Sequence, residues 1–132
     1  MELDMAERIL RVTMESCWGM FYEHIRQIDV IKYENGTYCS KYTWKDESLT
    51  KQTLKKQMSA REVEDILSSL ANLNIPASPN HDMGCDGGFT ELEIGGYGGM
   101  AKYRWWSCPP VGWEKLDKIT QGIIDFATEE NS

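Results

Sequence analysis

His81 and Cys85 stand four positions apart, with Asp82 and Asp86 beside them. These residue types bind zinc or build a nucleophile. As metal ligands they would need more donors, and Cys108 is the nearest further thiol in the sequence. Their spacing matches no standard zinc finger or ribbon. As a catalytic couple, the imidazole would take the thiol proton, and Gly84, Gly87 and Gly88 would leave backbone amides open to an oxyanion. A working couple also needs a third group to orient the imidazole. The chain has two histidines; the other, His24, lies in a β-rich run, and no orienting group is identifiable. A histidine and a cysteine in one loop are more often bystanders. No catalytic residue, metal ligand or cofactor is therefore assigned. A small cysteine-dependent enzyme, or a metal- or ligand-binding domain built on residues 76–88, is the alternative.

Two further patterns carry chemistry by letter. Gly96-Tyr97-Gly98-Gly99-Met100-Ala101 matches Gly-x-Gly-x-x-Ala, but that fingerprint must open a helix whose N-terminus holds a pyrophosphate. Here it opens Ala101-Lys102-Tyr103-Arg104-Trp105-Trp106, which alternates like a strand, so it reads as a glycine-rich hairpin turn. Glu91 and Glu93 share one strand face. Paired carboxylates do hydrolytic work when one is held protonated; no such environment is legible, so a solvated face is expected.

Position along the chain sets what these residues can reach. Leu10, Val12 and Met14 alternate with Arg11, Thr13 and Glu15, the pattern of a half-buried strand. Trp18-Gly19-Met20 reads as a turn or bulge. Asn35-Gly36 between two β-rich runs predicts a hairpin, since both positions accept positive φ. Residues 45–49 read as a loop. Residues 51–57 suit an edge strand whose lysines discourage foreign pairing, with a helical extension as the rival. Ser59-Ala60-Arg61-Glu62 is a capping box, with Met58 and Val63 spaced as a hydrophobic staple. Val63, Ile66, Leu67 and Leu70 then share a helix face, and Asn72, Asn74 and Pro76 end it. Residues 76–88 form a long loop, residues 89–106 a second hairpin, and Pro109 and Pro110 break its returning strand. From Trp113 a helix carries Leu116, Ile119, Ile123 and Phe126 on one face. Gly122 weakens it by roughly 1 kcal/mol against Ala, which signals close packing on the sheet.

This order predicts one α+β domain over residues 1–132. Its antiparallel sheet has about five to six strands, with two helices packed on one face. The net charge of −7 argues against nucleic acid, which is bound by neutralising phosphates. It argues equally against an anionic membrane; it can steer a basic protein partner, while solubility is its plainer reading. No apolar run approaches the ~20 residues of a membrane span. The acidic start does not read as a signal peptide. A cytoplasmic location is expected, with Cys17, Cys39, Cys85 and Cys108 as free thiols.

Residues 86–113 concentrate aromatics beside glycine, which suits a binding surface and equally a tightly turned hairpin with a heavy core side. Tyr97, Tyr103, Arg104, Trp105, Trp106 and Trp113 are the candidate binding residues, because Trp, Tyr and Arg dominate interface hot spots. Alternation puts Trp105 and Trp106 on opposite faces, so one of them is expected in the core. The run Asp86-Gly87 through Leu92-Glu93-Ile94, Tyr103-Arg104-Trp105-Trp106 and Pro109-Pro110-Val111-Gly112-Trp113 resembles a pattern in small bacterial proteins of unassigned activity. It covers the last third of the chain. Some proteins of this general build resemble immunity proteins of bacterial toxin systems, which are small, acidic and non-enzymatic. The resemblance implies a hairpin–helix module and a non-enzymatic, protein-binding role of inhibitor or immunity type. It transfers no catalytic residue.

Overall fold

Alternation along the strands decides which side of the sheet becomes the core. A computed structural model of the chain describes residues 6–17, 23–45, 48–76, 88–96, 99–106 and 108–129. Within these, six strands and two helices follow in the order β1 (Glu7–Cys17), β2 (Glu23–Lys32), β3 (Tyr38–Lys45), β4 (Lys51–Met58), α1 (Ala60–Ala71), β5 (Gly88–Gly96), β6 (Gly99–Trp106) and α2 (Glu114–Thr128). The strands form one antiparallel sheet ordered β4-β3-β2-β1-β5-β6. This is the expected α+β architecture.

One row of side chains crosses all six strands on the helix side: Leu54, Tyr42, Ile28, Val12, Leu92 and Tyr103. Ile28, Val12 and Leu92, at its centre, are fully buried. Val63 of α1 and Leu116, Ile123 and Ala127 of α2 join the same core cluster, so both helices cover this one face. A register shift in β1 between Arg8 and Leu10 interrupts the alternation. It is a bulge of one residue. Arg8 therefore pairs with Ile31 and stands on the face opposite Leu10.

The Asn35-Gly36 hairpin forms with a different turn from the one expected. Gly36 takes φ +86°, but Asn35 stays at negative φ. The Gly36 N–H donates to the Tyr33 carbonyl and the Tyr33 N–H to that of Thr37, both at 2.9 Å. This is a three-residue connection ending in a left-handed glycine. Asn35 instead turns its Oδ1 to the Thr37 N–H at 3.0 Å.

β4 is a strand, not a helical extension, and it forms one edge of the sheet. The capping box is present in both directions. Ser59 Oγ accepts from the Glu62 N–H at 3.1 Å, and Glu62 Oε1 from the Ser59 N–H at 3.3 Å. Met58 and Val63 on either side are buried.

The C-terminal carbonyls of α2 have no basic residue of their own in the last turn. Lys56 of β4 supplies the charge, donating to the carbonyls of Phe126 at 2.7 Å and Glu129 at 3.2 Å. A cation at this end of a helix opposes the dipole. At the other end, Gly112 has φ +97°, and a Cβ there would lie 2.7 Å from Pro76. The Trp113 indole N–H donates to the Pro76 carbonyl at 2.9 Å, so the entry to α2 is tied to the exit from α1.

The buried stripe of α2 is Leu116, Thr120, Ile123 and Ala127. Ile119 and Phe126 are only half-buried. Thr120 is accommodated because its hydroxyl donates to the Leu116 carbonyl at 2.8 Å. Gly122 does not mark close packing on the sheet: it is exposed, and a Cβ there would touch nothing within 4 Å.

Candidate binding face

The face of the sheet turned away from the helices is built from the other half of each strand, and no described helix packs on it. Its central row runs Lys55, Lys41, Asp29, Arg11, Glu93 and Lys102 across all six strands. Arg11 holds Asp29 with two hydrogen bonds, at 2.7 and 3.2 Å. The bulge in β1 brings Arg8 to Glu93 at 3.3 Å. Lys102 lies 3.5 Å from Glu91 and 3.6 Å from Glu93. Arg104 reaches Glu15 at 2.9 Å and Glu91 at 3.7 Å.

Glu91 and Glu93 are therefore not a solvated pair. Their side chains are only 12% and 13% exposed, enclosed by cations from β1 and β6. The hydrogen bond that Arg11 donates to Asp29 holds the Arg11 guanidinium above its ordinary pKa, against a smaller opposing effect of burial. Glu15 does the same for Arg104, again chiefly through the hydrogen bond. A raised basic pKa means that the contribution of these cations to stability is complete throughout the neutral range and is lost only in strong alkali.

One end of this face is aromatic. The register places Ile25, Glu15, Phe89 and Trp106 in a single row over β2, β1, β5 and β6. Phe89 and Trp106 meet edge to face, with ring centroids 4.6 Å apart. The Arg104 guanidinium lies over the Phe89 ring at 4.1 Å while it binds Glu15. Ile25 is 51% exposed. Arg104 thus carries a fixed geometry into this corner, and Glu15, Glu91 and Phe89, which fix it, belong to other strands.

The residues expected to bind divide between the two sides of the sheet. Arg104 and Trp106 lie on the open face. Trp105 and Trp113 are buried, at 3% and 6% exposure, and Tyr103 is half-buried beside them. Tyr103 and Trp105 each meet Trp113 nearly at right angles. The Trp105 indole N–H donates to Asp117 at 3.0 Å. These three aromatics fasten β6 to α2 and cannot share a surface with Arg104 and Trp106. Tyr97 lies outside the described residues.

Ile25, Glu15 and Phe89 were missing from the expected set. Phe89 has the parity of Glu91 and Glu93, which points it to the open face once the strand is recognised. Its approach to Trp106 needs the β5–β6 register.

His81, Asp82, Cys85 and Asp86 also lie outside the described residues, as do Trp18, Gly19 and Met20. Cys39 is a buried free thiol and Cys108 an exposed one. Among the described residues no three His, Cys, Asp or Glu gather as a metal site, and no helix is long and apolar enough to cross a membrane. The Gly-x-Gly-x-x-Ala letters run into β6, not into a helix, so they lack the helix N-terminus that a dinucleotide requires. Compared with protein-family models, curated proteins and solved structures, the chain matches none.

Proposed function

We propose that the protein is a non-enzymatic binding module of inhibitor or immunity type, and that it engages a protein partner through the open face of its sheet. The observation that carries this reading is the corner formed by Ile25, Phe89, Arg104 and Trp106. Large apolar side chains and a pre-oriented guanidinium on a rigid sheet are what interface hot spots require. Holding Arg104 by Glu15 before contact lowers the ordering cost on association. Residues 86–113 resemble a pattern in small bacterial proteins of unassigned activity, and the likeness of some proteins of this general build to toxin-immunity proteins supports the same reading. The natural candidates for the partner are the products of neighbouring genes.

The test is to co-express the protein with those products, score protection of growth and measure complex formation in solution. A stable complex is expected. Trp106→Ala should weaken it by about 2 kcal/mol or more, as at a hot spot, with little change in melting. Trp105→Ala should instead cost roughly 3–5 kcal/mol of stability, because it empties a core site. Absence of any complex and of any protection would overturn the reading. So would a complex that Trp106→Ala leaves intact.

A further inference from the structure

Four lysines on the open face make no ion pair among the described residues, although Asp29, held by Arg11, stands opposite Lys41 in the ladder. Register places Lys41 directly opposite Lys55, and Lys45 directly opposite Lys51. Thr43 and Thr53 stand between the two pairs. Like charges facing each other across an antiparallel ladder are destabilising. The carboxylates described on this face, Glu15, Asp29, Glu91 and Glu93, are already engaged by Arg8, Arg11, Lys102 and Arg104. The lysines on β3 and β4 are the surplus. The face is locally basic in a chain whose net charge is −7, so the net charge does not describe it.

Protection of a sheet edge explains only part of the arrangement. Lys51 and Lys55 lie on the edge strand β4, where lysine discourages foreign pairing, and Lys45 lies past Thr43, the last β3 residue paired with β2. Lys41 lies where β3 is paired with β2 on one side and β4 on the other and has no edge to guard. Its repulsion with Lys55 needs another account.

We infer that the β3–β4 half of the open face receives an acidic segment of a protein partner, with carboxylates over the Lys41–Lys55 and Lys45–Lys51 pairs. The inference rests on the reading that this face binds protein, and it assigns the chemistry of what binds. A polypeptide fits better than a nucleic acid. Ile25 of the corner stands on β2 beside β3, but Phe89 and Trp106 lie on β5 and β6, and the carboxylates of Asp29 and Glu15 on β2 and β1 stand between them and the lysines. A phosphate backbone reaching from the lysines to Phe89 and Trp106 would pass Asp29 or Glu15. The Phe89 ring has Arg104 over it and the edge contact with Trp106, which leaves it a poor platform for a base. An acidic partner segment can stop at β3.

The experiment titrates the full chain with a fluorescent oligoglutamate peptide at low salt, and with an oligothymidylate of matching length. The peptide is expected to bind, and more weakly as salt rises. Lys41→Gln combined with Lys55→Gln should weaken it at least about tenfold. Lys115→Gln combined with Lys118→Gln, which removes the same charge from α2, should leave it unchanged. No binding overturns the inference, as does binding that ignores Lys41 and Lys55. Oligothymidylate binding as tight as the peptide would assign the face to nucleic acid and overturn it too. If a partner complex forms as proposed above but survives the Lys41 and Lys55 changes, the lysine assignment fails and the binding face stands. If no partner complex forms, the wider reading fails by its own test.

Discussion

Gly112, at the entry to α2, and Gly122, in its middle, behave in opposite ways. Gly112 has a left-handed backbone and Pro76 packed where a side chain would begin. Gly122 sits in the middle of α2 facing open space, beside a groove between the helices lined by Ile66 and Ile119. Gly112→Ala is expected to lose about 1–2 kcal/mol or more, from the left-handed conformation and the collision together. Gly122→Ala should gain about 1 kcal/mol, because alanine lowers the entropy of the unfolded chain and favours helix. Urea denaturation of both variants checks the pair, and a loss of stability in Gly122→Ala would mean that the groove closes on that position. Sequence alone reads Gly112 as part of an aromatic-rich stretch and Gly122 as a mark of close packing on the sheet. Only the φ angle and the neighbour across space separate them.

At the scale of single elements, each helix is closed by a group outside its own repeat. Ser59→Ala should cost about 1 kcal/mol through the lost N-cap bond of α1. Lys56→Met keeps the aliphatic stem and removes the charge from the carbonyls of α2, at a cost of about 0.3–1 kcal/mol. Hydrogen exchange should locate the effects, with faster exchange in the first turn of α1 for one and the last turn of α2 for the other. Equal effects across both helices would mean that neither contact is local. The first cap was legible because Ser59 and Glu62 are three residues apart and the motif is local. The second was not, since Lys56 and Phe126 are 70 residues apart. The same divide runs through the whole structure. Leu10, Val12 and Met14 announce their face by alternation, whereas for Trp105 and Trp106 alternation gives opposite faces but not which of the two is core. The bulge beside Ile9, the partners of Glu91 and Glu93 and the facing lysines depend on register, which is set by pairing between distant strands. Thr120 and Ala127 were missed in the buried stripe of α2 because a hydroxyl and a methyl carry little hydrophobic signal.

In the whole molecule β1 is the strand on which the sheet is assembled, flanked by β2 on one side and β5 on the other. Its core side chains are at most 6% exposed. Native-state hydrogen exchange should therefore find the slowest amides between Leu10 and Met14, and faster exchange in the edge strands β4 and β6. Protection greatest in β4 would contradict this. The central place of β1 also has a consequence for synthesis. Its β2 side is met early, but its β5 side waits: Arg8 and Glu93, which end in contact, are separated by 85 residues. Ribosomes add about 5–20 residues each second, so that interval lasts on the order of ten seconds. Throughout it the nascent chain presents an unpaired strand edge with Leu10, Val12 and Met14 along one side. Arg8, Arg11 and Glu15, later absorbed into the ionic lattice, are charges of the kind that keep such a waiting edge from pairing with another chain.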